Sequence, residues 1–320
     1  MTSTALSAGE QRASAPDRQR PVRRRAGRGR PLTFWLFVGP FVIGMAIFVY
    51  APIVWGLVLS FFEAQNTVTP SEFVGVRNYA DMLGDPAFRE SLVTFSIFAA
   101  FIVPVTTAMA LGLALLLHRI RFMQGFFRSV LFLPAACSYV VACLIWKLSI
   151  FNGVRFGLAN TVLSLFDIEN VNWLGTVDPP LYWLVLVTVR LWLQLGFYTI
   201  LFLAGLQRIN TEMYEAAYVD GAKPGWQIFR NITLPSLRAT TVAVVLLNII
   251  AAFQAFDEFY NLMGIRSPLV RPPLMYLYTT ALGAEQDFGR GTAGAFILSA
   301  IIIVVTLVQS RITRFSRDEG

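Results

Sequence analysis

At 320 residues, 56% of them hydrophobic and only 14% charged, with a mean hydropathy of +0.60, the chain lacks the charge that a water-facing surface needs; soluble domains carry about 25% charged residues. A formal charge of +7 would suit a nucleic-acid partner, but the basic residues sit in a tail and in short links beside apolar runs, and no aromatic-interleaved basic face offers itself to bases. Composition therefore excludes a soluble domain and a nucleic-acid binder, and leaves a polytopic, all-α membrane protein.

The first element in chain order is an Arg-rich tail, residues 1–31, where eight of the 26 basic residues fall between Arg12 and Arg30. It is expected to be disordered and cytoplasmic, and to touch anionic lipid headgroups. An uncharged run of 31 residues follows, 32–62, far longer than the roughly 7–15 residues of a secretory signal core. A membrane helix needs about 20 apolar residues, and six stretches qualify. They are residues 32–61, 92–117, 129–146 (extendable to 151), 181–206, 240–256 and 291–309. Pro40, Pro52 and Pro104 lie inside the first two and are tolerable where neighbouring helices re-satisfy the freed backbone groups. Cys137 and Cys143 both lie in the third, so no disulfide framework is indicated. The six-span body is expected over 32–312, with a cytoplasmic tail at 313–320.

Orientation follows from the basic residues. The two tails and the links 118–128 and 208–238 hold 18 Lys and Arg; the three opposite loops hold seven, diluted by ten carboxylates. Both termini are therefore expected in the cytoplasm. His118, the only histidine, begins a basic link and reads as a solvated residue. No metal-ligand cluster, Ser/His/Asp set or G-x-x-x-x-G-K-[ST] phosphate loop is present, so neither catalysis, nor a metal or cofactor, nor ATP hydrolysis is expected of this chain.

Span 4 carries one charge, Arg190. An Arg at the bilayer centre costs about 2.5–3.5 kcal/mol on insertion scales, so it should face the bundle interior or a wet cavity. Gln194 and Phe197 share its helical face at i+4 and i+7. At the outer end of span 5, Gln254 and Asp257 are three apart and are expected on one face, with Asn248 deeper and on another side. Polar groups that match hydroxyls beside an aromatic ring suit a sugar. Two readings of Arg190 stay open: it lines a substrate pathway, or it pairs with Asp257 or Glu258 to lock two helices.

The link 208–238 is the most patterned part of the chain. Asn210 or Thr211 is placed to cap a short helix, with Glu212 and Glu215 near its positive end. Ala216 and Ala217 clear one face for a close approach, and Gly221 allows a sharp bend. Trp226, Ile228, Phe229 and Ile232 then give a second helix an apolar face, and Pro235 opens span 5 where its missing N–H costs little. The residues alone leave two readings open, a partner's docking surface or an interfacial hairpin.

Glu215-Ala216-Ala217, three residues, Gly221, then Ile232-Thr-Leu234-Pro235 resembles the EAA motif of binding-protein-dependent ABC permeases, and Asp220-Gly221-Ala222 resembles its carbohydrate-uptake branch. Phe73-Val-Gly-Val-Arg-Asn78-Tyr79, Phe127-Arg-Ser-Val-Leu-Phe-Leu-Pro134, Trp173-Leu174 and Leu203-Ala-Gly-Leu-Gln207 agree with that branch. Ten residues separate Gly221 from Ile232 where the branch has about nine, and its Gly-rich turn after span 5 is replaced by Leu262-Met-Gly-Ile-Arg-Ser-Pro268. The resemblance implies an ABC importer permease fold with cytoplasmic coupling helices, in a prokaryotic cell membrane. It implies that Glu215, Ala216, Ala217, Asp220, Gly221, Ala222, Leu234 and Pro235 engage a separate ATPase subunit. The implied partners are a second, distinct permease subunit, two ATPase subunits, an external solute-binding protein and a sugar. The family's pathway uses the helices flanking the motif, which matches Arg190, Gln194, Phe197, Asn248, Gln254 and Asp257. The rival reading is an ion-coupled secondary transporter, which calls for inverted repeats that the sequence does not show.

Overall fold

A computed structural model describes residues 30–315 apart from 121, 155, 266 and 268. The Arg-rich segment up to residue 29 and the last five residues lie outside it, and with them most of both expected tails. Two compact units divide at Ile53. The first holds α1 (Arg30–Met45) and the π-helical turn Ala46–Tyr50. Next in the chain is α2 (Ala51–Leu59), which ends the first apolar run.

Within the second unit, α3 (Arg77–Gly84) leads into α4 (Pro86–Arg119), the longest helix. Asp85 caps α4 by accepting from the Ala87 N–H at 2.8 Å, and Pro86 sits at N1, where no N–H is missed. The phrase ending in Asn78-Tyr79 runs into the start of α3, and its role is mechanical. Asn78 donates to the carbonyls of Ser60 and Phe62 at 3.0 and 2.9 Å, and the Tyr79 hydroxyl meets Ser60 Oγ at 2.7 Å. The chain leaving α2 is thereby pinned.

The third apolar run was expected as one span and is broken. α5 (Gln124–Phe132) continues through the 3-10 turn Leu133–Ala136, and α6 (Tyr139–Ile145) continues through the π turn Trp146–Ile150, the two parts meeting at 96°. Pro134 is the second residue of the 3-10 turn, and Cys137 and Ser138 are extended, so the i→i−4 ladder cannot run on. Apolar composition alone does not distinguish this from a straight helix. After α7 (Leu158–Ser164) the second outer loop is organised by buried Asn160. Its amide donates to the carbonyls of Asn152, Val154 and Val171, and its oxygen accepts from Val171 N–H and from Trp173 Nε1 at 2.9 Å.

α8 (Tyr182–Leu206) is the fourth span and the axis of the bundle. Gly196 lets another chain segment cross it: a β-carbon there would stand 1.8 Å from the Leu131 carbonyl oxygen, so α5 rests on the α8 backbone. α9 (Thr211–Val219), α10 (Trp226–Ile228) and α11 (Leu234–Ser236) make up the long inner link. α12 (Arg238–Phe253) begins after a 69° bend. Span 5 was expected to reach residue 256, but the helix stops at Phe253 and α13 (Asp257–Met263) starts anew. α14 (Pro273–Leu282) and α15 (Phe288–Phe315) complete the chain.

Four helices are long and apolar enough to cross a membrane, and six spans result when each bent pair counts as one. One core joins the outer halves of α4, α8 and α12 to α6, α13 and α14 through Phe95, Phe98, Leu186, Phe259 and Met275; a second joins their inner halves through Ala110, Ala114, Phe202, Leu237 and Val244. Small residues on α4 permit close packing where lipid removes any hydrophobic drive.

Candidate functional site

Two candidate surfaces flank α8. The first is the break between α12 and α13. Its Ala255 N–H bonds back to Ala252 and its Gln254 N–H to Ile250, which leaves the Ala251 carbonyl outside the helical ladder. Arg190 Nη2 donates to that carbonyl at 2.7 Å, while Nη1 bonds the Glu258 carboxylate in the first turn of α13. The guanidinium also lies 5.7 Å from the Phe98 ring centroid. Arg190 and Glu258 are 1% and 2% exposed, so the pair has left water entirely and holds α8, α12 and α13 together. Of the two open readings, the structure shows the ion pair, and with Glu258 rather than Asp257.

The other expected pathway residues separate into buried and open ones. Asn248 is fully buried and donates to the Val103 carbonyl of α4 at 3.3 Å. Arg190 and Asn248 are both buried, each drawn into the bundle by a partner that hydropathy does not reveal. Gln194 is half-buried: its amide donates to the Tyr139 hydroxyl at 2.8 Å, and its oxygen finds no partner among the described residues. Phe197 is exposed. Gln254 and Asp257 are exposed too, but they do not share one helical face as expected, because the break falls between them.

The second surface is the inner link, which folds as a helical hairpin. Asn210, not Thr211, caps α9, accepting from the Glu212 N–H at 3.1 Å. α9 closes with Gly221 at φ +84°, the left-handed geometry that only glycine adopts without strain. Ala222 N–H bonds the Ala217 carbonyl and Gly221 N–H the Tyr218 carbonyl, at 2.9 and 3.1 Å, which satisfies the last carbonyls of the helix. The second arm packs by Ile228 and leaves Trp226 exposed, its ring 5.4 Å from Phe229. It widens into the π turn Phe229–Thr233 just ahead of Pro235. The Tyr214 hydroxyl meets buried Thr233 Oγ1 at 3.2 Å and ties the arms, a contact nineteen residues apart that no local pattern announces.

Glu215, Ala216, Ala217, Asp220, Gly221, Ala222, Leu234 and Pro235 are expected to face a partner, and the structure leaves Glu215, Ala216, Asp220, Gly221, Leu234 and Pro235 exposed and Ala217 and Ala222 half-buried. Glu215 stands on α9. Between the arms is a notch of about 310 Å³ floored by Ala217, Gly221, Ala222, Ile228 and Ile232, with Asp220 at its side. Small side chains, an open notch and the Asp220 carboxylate thus lie together on this hairpin.

A third polar group lies outside the spans. Asp85 accepts from the Tyr276 hydroxyl and pairs with Arg290 at 3.5 Å, joining the ends of α4, α14 and α15. Burial works to raise the Asp85 carboxyl, but the bonds from Tyr276 and from the Ala87 and Phe88 N–H groups, with Arg290 beside them, prevail and hold it below its ordinary value. Burial, then the bond to Asp85, pushes the Tyr276 phenol up to about 12.

Residues 28–318 match the model of the family described as binding-protein-dependent transport system inner membrane component. Among curated relatives, the chain is 33% identical over 292 residues to the arabinooligosaccharides transport system permease protein AraP of Bacillus subtilis, covering 89% of this chain and 90% of that one. It is 30% identical over 284 residues to the trehalose/maltose transport system permease protein MalF of Thermococcus litoralis, covering 89% and 94%. Among solved structures, a chain of a bacterial ABC transporter involved in the import of the acidic polysaccharide alginate superposes with a TM-score of 0.76 at 20% identity, covering 89% of this chain and 96% of that one. That likeness is one of fold.

Proposed function

The chain belongs to the family of binding-protein-dependent transport system inner membrane components, and from that premise we propose that it is one of two distinct permease subunits of an ATP-driven importer for a sugar or oligosaccharide. As a transport permease it moves its substrate and performs no chemistry on it. ATP hydrolysis resides on two separate ATPase subunits, and an external solute-binding protein delivers the substrate. The observation that carries this reading is the exposed hairpin from Asn210 to Pro235, with its notch and the exposed carboxylates of Glu215 and Asp220. Glu215 and Asp220 contact the ATPase, Ala216, Ala217 and Ala222 admit its backbone, Gly221 makes the turn, and Leu234 with Pro235 joins the hairpin to α12. When ATP closes the ATPase pair, the hairpin moves as a unit and takes α8 and α12 with it.

In the membrane, Phe197, Gln194, Gln254 and Asp257 line the pathway. Arg190 and Asn248 are positioning residues that hold the walls. The sugar class rests on the kinship with AraP and MalF. Around this body, residues 1–31 and 313–320 are cytoplasmic tails and 208–238 is the coupling link.

Purification tests the reading. The ATPase should come down with the wild-type chain and be lost on Gly221→Asp, which brings a side chain to a left-handed turn at a strain of about 1–3 kcal/mol and a further carboxylate to the notch. Retention of the ATPase and of ATP-driven uptake in that variant would remove the hairpin from the mechanism.

A further inference from the structure

Three aromatic rings stand together beside the α12–α13 break. Phe256 and Tyr260 lie stacked, centroids 5.2 Å apart and planes 21° from parallel. Tyr278 of α14 closes on them at 5.4 and 5.9 Å. Tyr260 is exposed, as are its neighbours Gln254 and Asp257. On α13, Asp257 and Tyr260 are three apart and share a face. Phe256 and Tyr278 are half-buried, so Tyr260 is the ring that the cluster leaves open, and a carboxylate at the end of a span does not face hydrocarbon. This distinguishes the cluster from an aromatic belt, whose rings sit among lipid headgroups without a carboxylate on their face.

Rings so placed suit one class of ligand. A pyranose ring presents a face of C–H bonds that settles on the electron-rich face of an aromatic ring. Its hydroxyls meet donors and acceptors at the rim, here the Gln254 amide, the Asp257 carboxylate and the Tyr260 hydroxyl. Charge narrows the class further. None of these five residues is basic, and the guanidinium of span 4 is already committed to Glu258 and to the Ala251 carbonyl. A uronic acid arriving here would set its carboxylate beside Asp257 with no cation of the cluster to offset it, and like charges at such range repel. Resting on the pathway reading above, we propose that Phe256, Tyr260 and Tyr278 form a stacking platform that, with Gln254 and Asp257, accepts neutral glycosyl units and turns back uronic acids.

The test uses the assembled importer in nanodiscs and saturation-transfer NMR with equimolar maltotriose, arabinotriose and alginate trisaccharide. Transfer to a neutral trisaccharide and none to the alginate fragment is expected. Tyr260→Ala should weaken the neutral signal about tenfold, the worth of one ring contact, while Tyr260→Phe, which keeps the ring, should lose no more than about threefold of it. Asp257→Asn should admit the uronate. Equal transfer to the uronate in the wild type, no transfer to either neutral sugar, or an unchanged Tyr260→Ala signal would overturn the proposal. A second measurement separates its failure from that of the pathway reading. Asp257→Cys, in a Cys137→Ser and Cys143→Ala background, is treated with a membrane-impermeant maleimide in each nucleotide state. No labelling in any state sinks the pathway reading and the platform together. Labelling that maltotriose slows when Tyr260 is intact, and no longer slows once Tyr260→Ala is added, supports the platform. Labelling indifferent to the sugar sinks the platform alone.

Discussion

The two ends of α8 treat charge in opposite ways. Toward the outer side, Arg190 and Glu258 are closed off from solvent, and the guanidinium is shared among a carboxylate, a carbonyl and an aromatic face. At the inner end, Glu215 and Asp220 stand on α9 and its cap beside an open notch. A membrane interior favours polar groups answered within the protein, and of the Arg190 guanidinium only Nε is left without a partner among the described residues, whereas Glu215 and Asp220 stay exposed. The first region serves the stability of the bundle, and the second is where coupling is proposed.

The largest effect that tests this contrast is on the buried pair. Glu258→Ala leaves an uncompensated guanidinium in the core and should cost about 3–5 kcal/mol, whereas Arg190→Met with Glu258→Leu should recover most of the loss. Thermal unfolding of the detergent-purified or nanodisc-held complex reads the difference. A single variant that melts like the wild type would show that the pair holds nothing together.

At the inner end the expected energy is smaller and the consequence is functional. Asn210→Ala removes the cap of α9 and should cost about 1 kcal/mol of local stability. Amide exchange should quicken in the first turn of α9 and leave α8 unchanged, with ATP-driven uptake falling while thermal stability barely moves. Loss of global stability instead would make the hairpin part of the core, against the contrast drawn here.

Both the spans and the hairpin were legible in the sequence, but for different reasons. Uncharged runs of span length are a property of composition, and Asn210, Gly221 and Pro235 each act on the backbone next to them, so their effects are local. What was hidden is tertiary. The break at Cys137–Ser138 changes no residue's hydropathy, and span 5 reads as apolar past Phe253 although its helix ends there. Asp257 and Glu258 are adjacent in sequence, and only the fold turns Glu258 toward Arg190 and Asp257 away from it. Likewise Asn78 and Asn160 look like ordinary loop residues until the carbonyls they gather, six to eighteen residues away, are seen together.

The smallest effect expected concerns acid. Asp85 has a carboxyl held below its ordinary value near 3.8. A depressed carboxyl contributes stability that is fully present above the ordinary value and is lost as pH falls through the lowered one. The wild-type complex should therefore lose melting temperature below about pH 4, and Asp85→Asn should start lower and flatten that dependence. An identical acid limb in the variant would assign the loss to other carboxylates.

The central claim is that this chain conducts substrate only under the drive of a separate ATPase docked on the Asn210–Pro235 hairpin. Uptake into proteoliposomes tests it most directly, comparing the chain alone under proton or sodium gradients with the assembled complex given ATP. The account predicts uptake by the complex with ATP, abolished by Gly221→Asp, and none by the chain alone. Gradient-driven uptake by the isolated chain, with no ATPase present, would contradict it.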